Sequence, residues 1–144
     1  SWSDVVRSFV ATSNGIKNEP IPNRKAKVVR NINLLVDNVL DPIRDKVRTQ
    51  VIITSGYRCS QVNKLVGGVS NSQHISGCAA DFYVKGFTYE KMYDLYLYIF
   101  NTLEFDQLIY YRSKNIIHVS YVENGNRHEA FIKKWFSFLS PFRL

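Results

Sequence analysis

Histidine, cysteine and methionine are scarce in this chain of 144 residues, which holds three, two and one of them. Two cysteines, Cys59 and Cys78, are too few for the disulfide framework that staples small secreted domains, so stability must come from a packed core and free thiols are expected. Apolar runs long enough for a membrane helix, about 18 residues, are absent. The opening residues 1–15 also lack the basic-then-apolar layout of a signal peptide, so a soluble chain is expected. Low-complexity tracts and internal repeats are missing too, and 45% hydrophobic residues exclude a disordered or fibrous chain. A length of 144 residues leaves little room for a second core, which predicts a single domain over residues 1–144.

Acidic residues are outnumbered 12 to 19 by basic ones, for a net charge of +7. Polyanions are therefore plausible partners, nucleic acid and cell wall alike. The basic residues are dispersed (Arg24, Lys25, Lys27 and Arg30, then Arg44, Lys46 and Arg48, then Lys133, Lys134 and Arg143) and no nucleic-acid module accompanies them. Charge alone is a weak argument for nucleic acid, and that partner is not expected.

Aromatic residues are plentiful, nine Tyr and nine Phe, and suit sheet and core packing. Pro20 and Pro22 keep the chain out of a helix until about Lys25. From there Val28, Ile32, Leu35, Val39, Ile43 and Val47 recur at the spacing of one buried helical face, which Pro42 interrupts or restarts with Asp41 as a cap. Residues 51–54 are a short β-branched run, residues 60–66 a short helix stopped by Gly67-Gly68, and residues 79–84 a second strand. Thr88 caps a helix over residues 89–103. A hairpin joins residues 105–111 to 116–121, and a last strand is expected over 129–136. The expected class is α+β: N-terminal helices, a mostly antiparallel sheet covered on one face, and one inserted helix.

The chemistry-bearing residues gather at two of the three histidines. His74 lies in a polar loop, Asp81 follows seven positions later on a strand, and His118 sits on the second strand of the hairpin. Imidazole and carboxylate are zinc ligands, and a catalytic zinc takes three protein ligands while keeping a fourth position open. A His-x6-Asp spacing taken alone also arises by chance around a structural histidine.

The context is longer than that spacing. Residues 16–20 (IKNEP), 38–44 (NVLDPIR), 54–58 (TSGYR), 62–68 (VNKLVGG), Ser72-Gln73-His74 with 77–81 (GCAAD), 105–109 (FDQLI) and Ile117-His118-Val119-Ser120 through Asn126-Arg127 run in order across roughly residues 12–130. In this the chain resembles the zinc peptidases of peptidoglycan typified by D-alanyl-D-alanine carboxypeptidases, which share the Hedgehog/DD-peptidase fold. The resemblance implies that His74, Asp81 and His118 ligate Zn²⁺, that Arg58 grips a substrate carboxylate, and that Ser72 touches substrate or the ligand loop. A guanidinium suits that task because its fork offers paired hydrogen bonds at fixed geometry. The implied substrate is a peptidoglycan stem peptide, cut at a D-Ala-D-Ala or an L-Ala-D-Glu bond, as by phage endolysins. Such a lysin works from the host cytoplasm before lysis or from the virion.

One element of the pattern is missing. Peptide hydrolysis needs a general base, usually a carboxylate, and relatives place an acidic residue on the hairpin before the last histidine. The slots here hold Tyr111, Arg112 and Asn115. If residue 111 faces 116, Ile109 faces His118, and Gln107, Ile109 and Tyr111 share its side of the sheet while Asp106 points away. Asp106 brought round by a bulge is the expected base and Tyr111 the group that polarises the scissile carbonyl, with Glu104 and Glu123 at strand ends as weaker alternatives. The contrasting function is a zinc-binding module of the same fold with little or no catalysis and a structural or wall-binding role.

Overall fold

Alternation along three strands decides which residues face a core and which are left for chemistry. In the computed structural model, which describes residues 2–134 and 141–143, a six-stranded sheet runs in the order β1-β2-β4-β3-β5-β6. The strands are β1 (Val51–Ser55), β2 (Ala79–Val84), β3 (Gln107–Tyr111), β4 (Ile116–Ser120), β5 (Glu129–Lys133) and β6 (Pro141–Arg143). Ala80, Phe82 and Val84 of β2, Leu108 and Tyr110 of β3, and Ile117 and Val119 of β4 enter one hydrophobic core. Their neighbours Asp81, Ile109, Tyr111 and His118 turn to the other face, as a period of two demands.

Helices cover the apolar face. Two short ones, α1 (Trp2–Val6) and α2 (Phe9–Ser13), lead to α3 (Lys25–Leu35) and α4 (Asp41–Val47); α5 (Ser60–Leu65) and α6 (Tyr89–Thr102) follow. Val28, Ile32 and Leu35 of α3 and Met92, Leu95, Tyr96 and Ile99 of α6 fill the core, each side chain removed from water stabilising by about 1.5–3 kcal/mol. Thr88 caps α6 as expected, its side chain accepting from the Lys91 amide. Pro42 lies in the first turn of α4, where a restart puts it, with Leu40 rather than Asp41 at the cap position. Residues Val36–Leu40 widen into a π turn between α3 and α4, and the helical path continues through the proline. Proline has no N–H to offer the carbonyl four residues back, and a local widening is how a helix absorbs that loss.

The pairing is antiparallel except where β5 lies parallel to β3. The hairpin register is the expected one: Tyr111 faces Ile116 and Ile109 faces His118. The strand expected over 129–136 is β5, which ends at Lys133, and residues 135–136 lie outside the described residues. On β1 the register slips between Ile53 and Ser55, so that Ser55 opposes Asp81. Such a bulge re-aims a side chain, here the Ser55 hydroxyl, toward the polar face. No helix among the described residues is long and apolar enough to cross a membrane.

Candidate metal centre

Asp81 and His118 are direct cross-strand partners on β2 and β4. Their side chains meet on the polar face, His118 Nδ1 lying 2.7 Å from Asp81 Oδ1. The connection between β1 and β2 brings the third group: His74 Nε2 stands 3.4 Å from the same Asp81 oxygen. The three ligand atoms lie within 4.8 Å of one another. His74 and Asp81 are buried and His118 nearly so.

The His74 ring is aimed by the backbone. Its Nδ1–H donates to the Gly56 carbonyl at 2.7 Å, which turns Nε2 toward Asp81. This outer contact fixes tautomer and ring orientation, the usual arrangement for a ligating imidazole. Gly56 is there by necessity, because a Cβ on it would sit 2.1 Å from the Val5 carbonyl oxygen of α1. The main chain of residue 74 is tied as well: its N–H donates to Ser72 Oγ at 3.2 Å and its carbonyl accepts from the Arg58 amide at 3.0 Å. Ser72 thus serves the ligand loop.

Arg58 borders the centre. Its side chain is largely buried, Nε donating to Ser55 Oγ at 3.0 Å and Nη1 to Asn63 Oδ1 at 3.3 Å, while Nη2 lies 3.7 Å from Asp81 Oδ2. Burial pulls the Arg58 pKa down and the Asp81 charge opposes it. Asn63 also donates to the Val69 carbonyl at 2.9 Å, and a Cβ on Gly68 would collide with its Oδ1. The Gly67-Gly68 turn that stops α5 therefore packs against the group that holds Arg58. Asn63 was legible only as part of a motif, and nothing in its spacing announced the contact.

Burial alone raises the Asp81 carboxyl, but the imidazoles of His74 and His118 outweigh it and hold the group well below the usual carboxylate range. The site is thus built around an anion. Tyr111, on the same face of the hairpin, is pushed up to about 12, first by burial and then by the Asp81 charge, so its phenol keeps its proton at neutral pH.

Asp106 is placed otherwise than a bulge would place it. β3 and β4 pair in unbroken register from Leu108 to Tyr111. The Asp106 carboxylate accepts from Arg127 Nε at 3.0 Å, Arg127 Nη2 at 2.7 Å, the Arg127 amide at 3.0 Å and Gln73 Nε2 at 2.8 Å. Four donors occupy its lone pairs, and the Arg127 bonds hold its pKa down, both unfavourable to a proton acceptor. Glu123 pairs with Arg30, and Glu104 accepts from Asn126 at 3.2 Å. Among the described residues no other acidic group joins His74, Asp81 and His118.

The family model described as Peptidase M15 matches residues 3–120. The chain belongs to that family. That family is one of zinc peptidases of D-alanyl-D-alanine carboxypeptidase type, as the order of the motifs implied. No curated protein matches it.

The residues of this M15 chain fit the metal of its family. Bonds of about 2.0–2.1 Å in a tetrahedral site set ligand atoms about 3.3 Å apart, close to the 3.4 Å between His74 Nε2 and Asp81 Oδ1. The 2.7 Å between His118 Nδ1 and Asp81 is a hydrogen bond, whose proton a cation would displace. Two imidazoles and a carboxylate are a donor set suited to zinc.

Proposed function

We propose that this chain, acting as a single domain, hydrolyses peptidoglycan stem peptides at a D-Ala-D-Ala or an L-Ala-D-Glu type bond, in the manner of a phage lysin. The observation that carries the reading is the placement of Arg58 beside a His-Asp-His group within 4.8 Å, in a chain of the M15 family. His74, Asp81 and His118 would hold zinc. When bound, zinc supplies Lewis-acid polarisation of a carbonyl and acidifies water. The protein's own part is positional. The Gly56 carbonyl orients His74, and Ser55 and Asn63 hold the Arg58 guanidinium rigid. A rigid fork binds a peptide carboxylate without first losing side-chain freedom. Tyr111, protonated and on the same face, is the group that donates a hydrogen bond to the scissile carbonyl as negative charge develops there. A net charge of +7 favours encounter with an anionic wall.

A second reading rests on one specific observation, the absence among the described residues of a further carboxylate at the group. On that reading the domain is a zinc-dependent binding module for stem peptides. Mass spectrometry of muropeptides after incubation with zinc-loaded protein separates the two. Release of D-alanine or of L-alanine-terminated fragments supports hydrolysis and names the bond; intact muropeptides with zinc-dependent wall binding support the module.

A further inference from the structure

The two imidazoles of the metal centre come from a strand and from the loop that leads into its neighbour, joined at the loop's end where the Tyr121 amide donates to the Cys78 carbonyl at 2.9 Å. His118 stands on β4, and His74 on the loop before β2. Asp106 adds a second tie, at the His74 end of the loop. The Asp106 backbone N–H donates to the Ser120 carbonyl at 2.8 Å, two positions from His118. Its side chain accepts from Gln73 Nε2 at 2.8 Å, one position from His74. Gln73 is anchored in turn from within its own loop, its carbonyl accepting from the Cys78 amide at 3.0 Å and from Ser76 Oγ at 3.1 Å.

We propose that Asp106 is a positioning residue of the metal centre, which acts through Gln73 to hold the His74 loop at a set distance from the His118 strand. The inference rests on the reading of His74, Asp81 and His118 as metal ligands. Three features carry it. Asp106 is 3% exposed, and its carboxylate is fully hydrogen-bonded. Arg127 makes a forked pair with it from the 121–128 loop, so a charge-assisted clamp supplies rigidity where a single neutral bond would leave play. The Gln73 amide makes the side-chain hydrogen bond between the 72–78 loop and Asp106, so its removal cuts that tie while leaving the Asp106–Arg127 pair whole.

The test reads zinc affinity by competition with a chromophoric chelator, and amide hydrogen exchange of His74 and Cys78 in the metal-free protein. Gln73→Ala, and Gln73→Met to keep the volume, are expected to weaken zinc binding by about 10- to 100-fold, the usual effect of losing an outer-shell partner. Both are expected to speed exchange in the loop. Gln73→Glu sets carboxylate against carboxylate and is expected to weaken binding further. Two results would overturn the clamp while sparing the metal reading: Gln73 variants that melt earlier yet bind zinc within twofold of wild type, or an Asp106→Asn protein with normal zinc affinity and exchange but turnover reduced by a factor of about 10² or more, the mark of a base. Wild-type protein that takes up no zinc would overturn both readings together.

Discussion

His118 and Asp81 face each other across an antiparallel pair, and the 2.7 Å between their side chains is set by strand register rather than by a loop. A ligand pair mounted this way is rigid before any metal arrives. Zinc is therefore expected at one per chain in elemental analysis. His118→Ala removes a strand-mounted donor and His74→Ala a loop-mounted one, and either leaves fewer than the three protein ligands a catalytic site takes. Each single change is expected to lower zinc content well below stoichiometry, and the double change to abolish it. Full metal content in the double variant would sink the site.

Gly56 joins packing to chemistry. Its Cβ position overlaps the Val5 carbonyl oxygen, a backbone atom that cannot swing aside, while its own carbonyl orients His74. Gly56→Ala is expected to destabilise by about 1–3 kcal/mol, as overpacking does, and to weaken zinc binding about tenfold or more. Thermal melts and chelator competition check the two effects, and a variant with lower melting temperature but unaltered metal affinity would separate them.

The motif order, the strand at residues 79–84 and the hairpin register were legible because each depends on local alternation and turn length. Ile109 opposite His118 follows from those alone. The Gly56 carbonyl was not legible, since every residue carries one and no spacing marks which is used. Nor was the parallel docking of β5 on β3, a long-range pairing with no local signature. The restart at Pro42 was legible from proline's preference for a first turn, whereas the π turn over Val36–Leu40 that leads into it has no mark in the apolar spacing. Asp106 shows the same limit at the site. A carboxylate near a metal motif reads as a base until the four donors around it are seen.

Arg58→Ala is expected to lower kcat/KM by roughly thirtyfold, about 2 kcal/mol for a lost hydrogen bond to a charged group. Arg58→Lys is expected to recover little, because an ammonium cannot bond Ser55 and Asn63 and still present a fork. Zinc content unchanged in both variants, beside altered kinetics, confirms a substrate role; equal kinetics in wild type and Arg58→Ala would refute it.

Acid sensitivity follows from Asp106. Arg127 and Gln73 bind its ionised form, so its folded pKa lies below the unfolded value of about 3.9. The sign is then fixed: the stabilisation is present above about pH 4 and is lost as pH falls through the folded pKa. Asp106→Asn is expected to melt below wild type at pH 7, by about 2 kcal/mol, with the gap closing in acid. Melting curves of the metal-free proteins from pH 7 to pH 3 read this directly, and a gap that widens in acid would contradict the pairing.

The missing base yields the sharpest engineering test. Of the three hairpin slots, Asn115 is committed to the turn: it adopts φ 54°, accepts from the Tyr110 hydroxyl at 2.6 Å and donates to the Phe87 carbonyl at 3.2 Å. Asn115→Glu is therefore expected to destabilise the hairpin rather than to add a base. Arg112 follows β3 and its N–H donates to the Lys133 carbonyl. By strand alternation it belongs to the face opposite Tyr111, so Arg112→Glu is expected to change nothing at the centre. Tyr111 alone combines the face of His118 with electrostatic contact to Asp81 and Arg58. A carboxyl placed there shares the face of His118, the side on which a general base must stand. Where wild type is inert, Tyr111→Glu is expected to start hydrolysis of muropeptides, with a rate that rises through the pKa of the new carboxyl; where wild type cuts, loss of the Tyr111 hydroxyl is expected to lower the rate. Mass-spectrometric progress curves on zinc-loaded proteins measure it. Gain of activity in Tyr111→Glu but not Arg112→Glu fixes the face on which catalysis occurs; a folded, zinc-loaded Tyr111→Glu protein with no gain over an inert wild type shows that the wild-type domain binds stem peptides rather than cutting them.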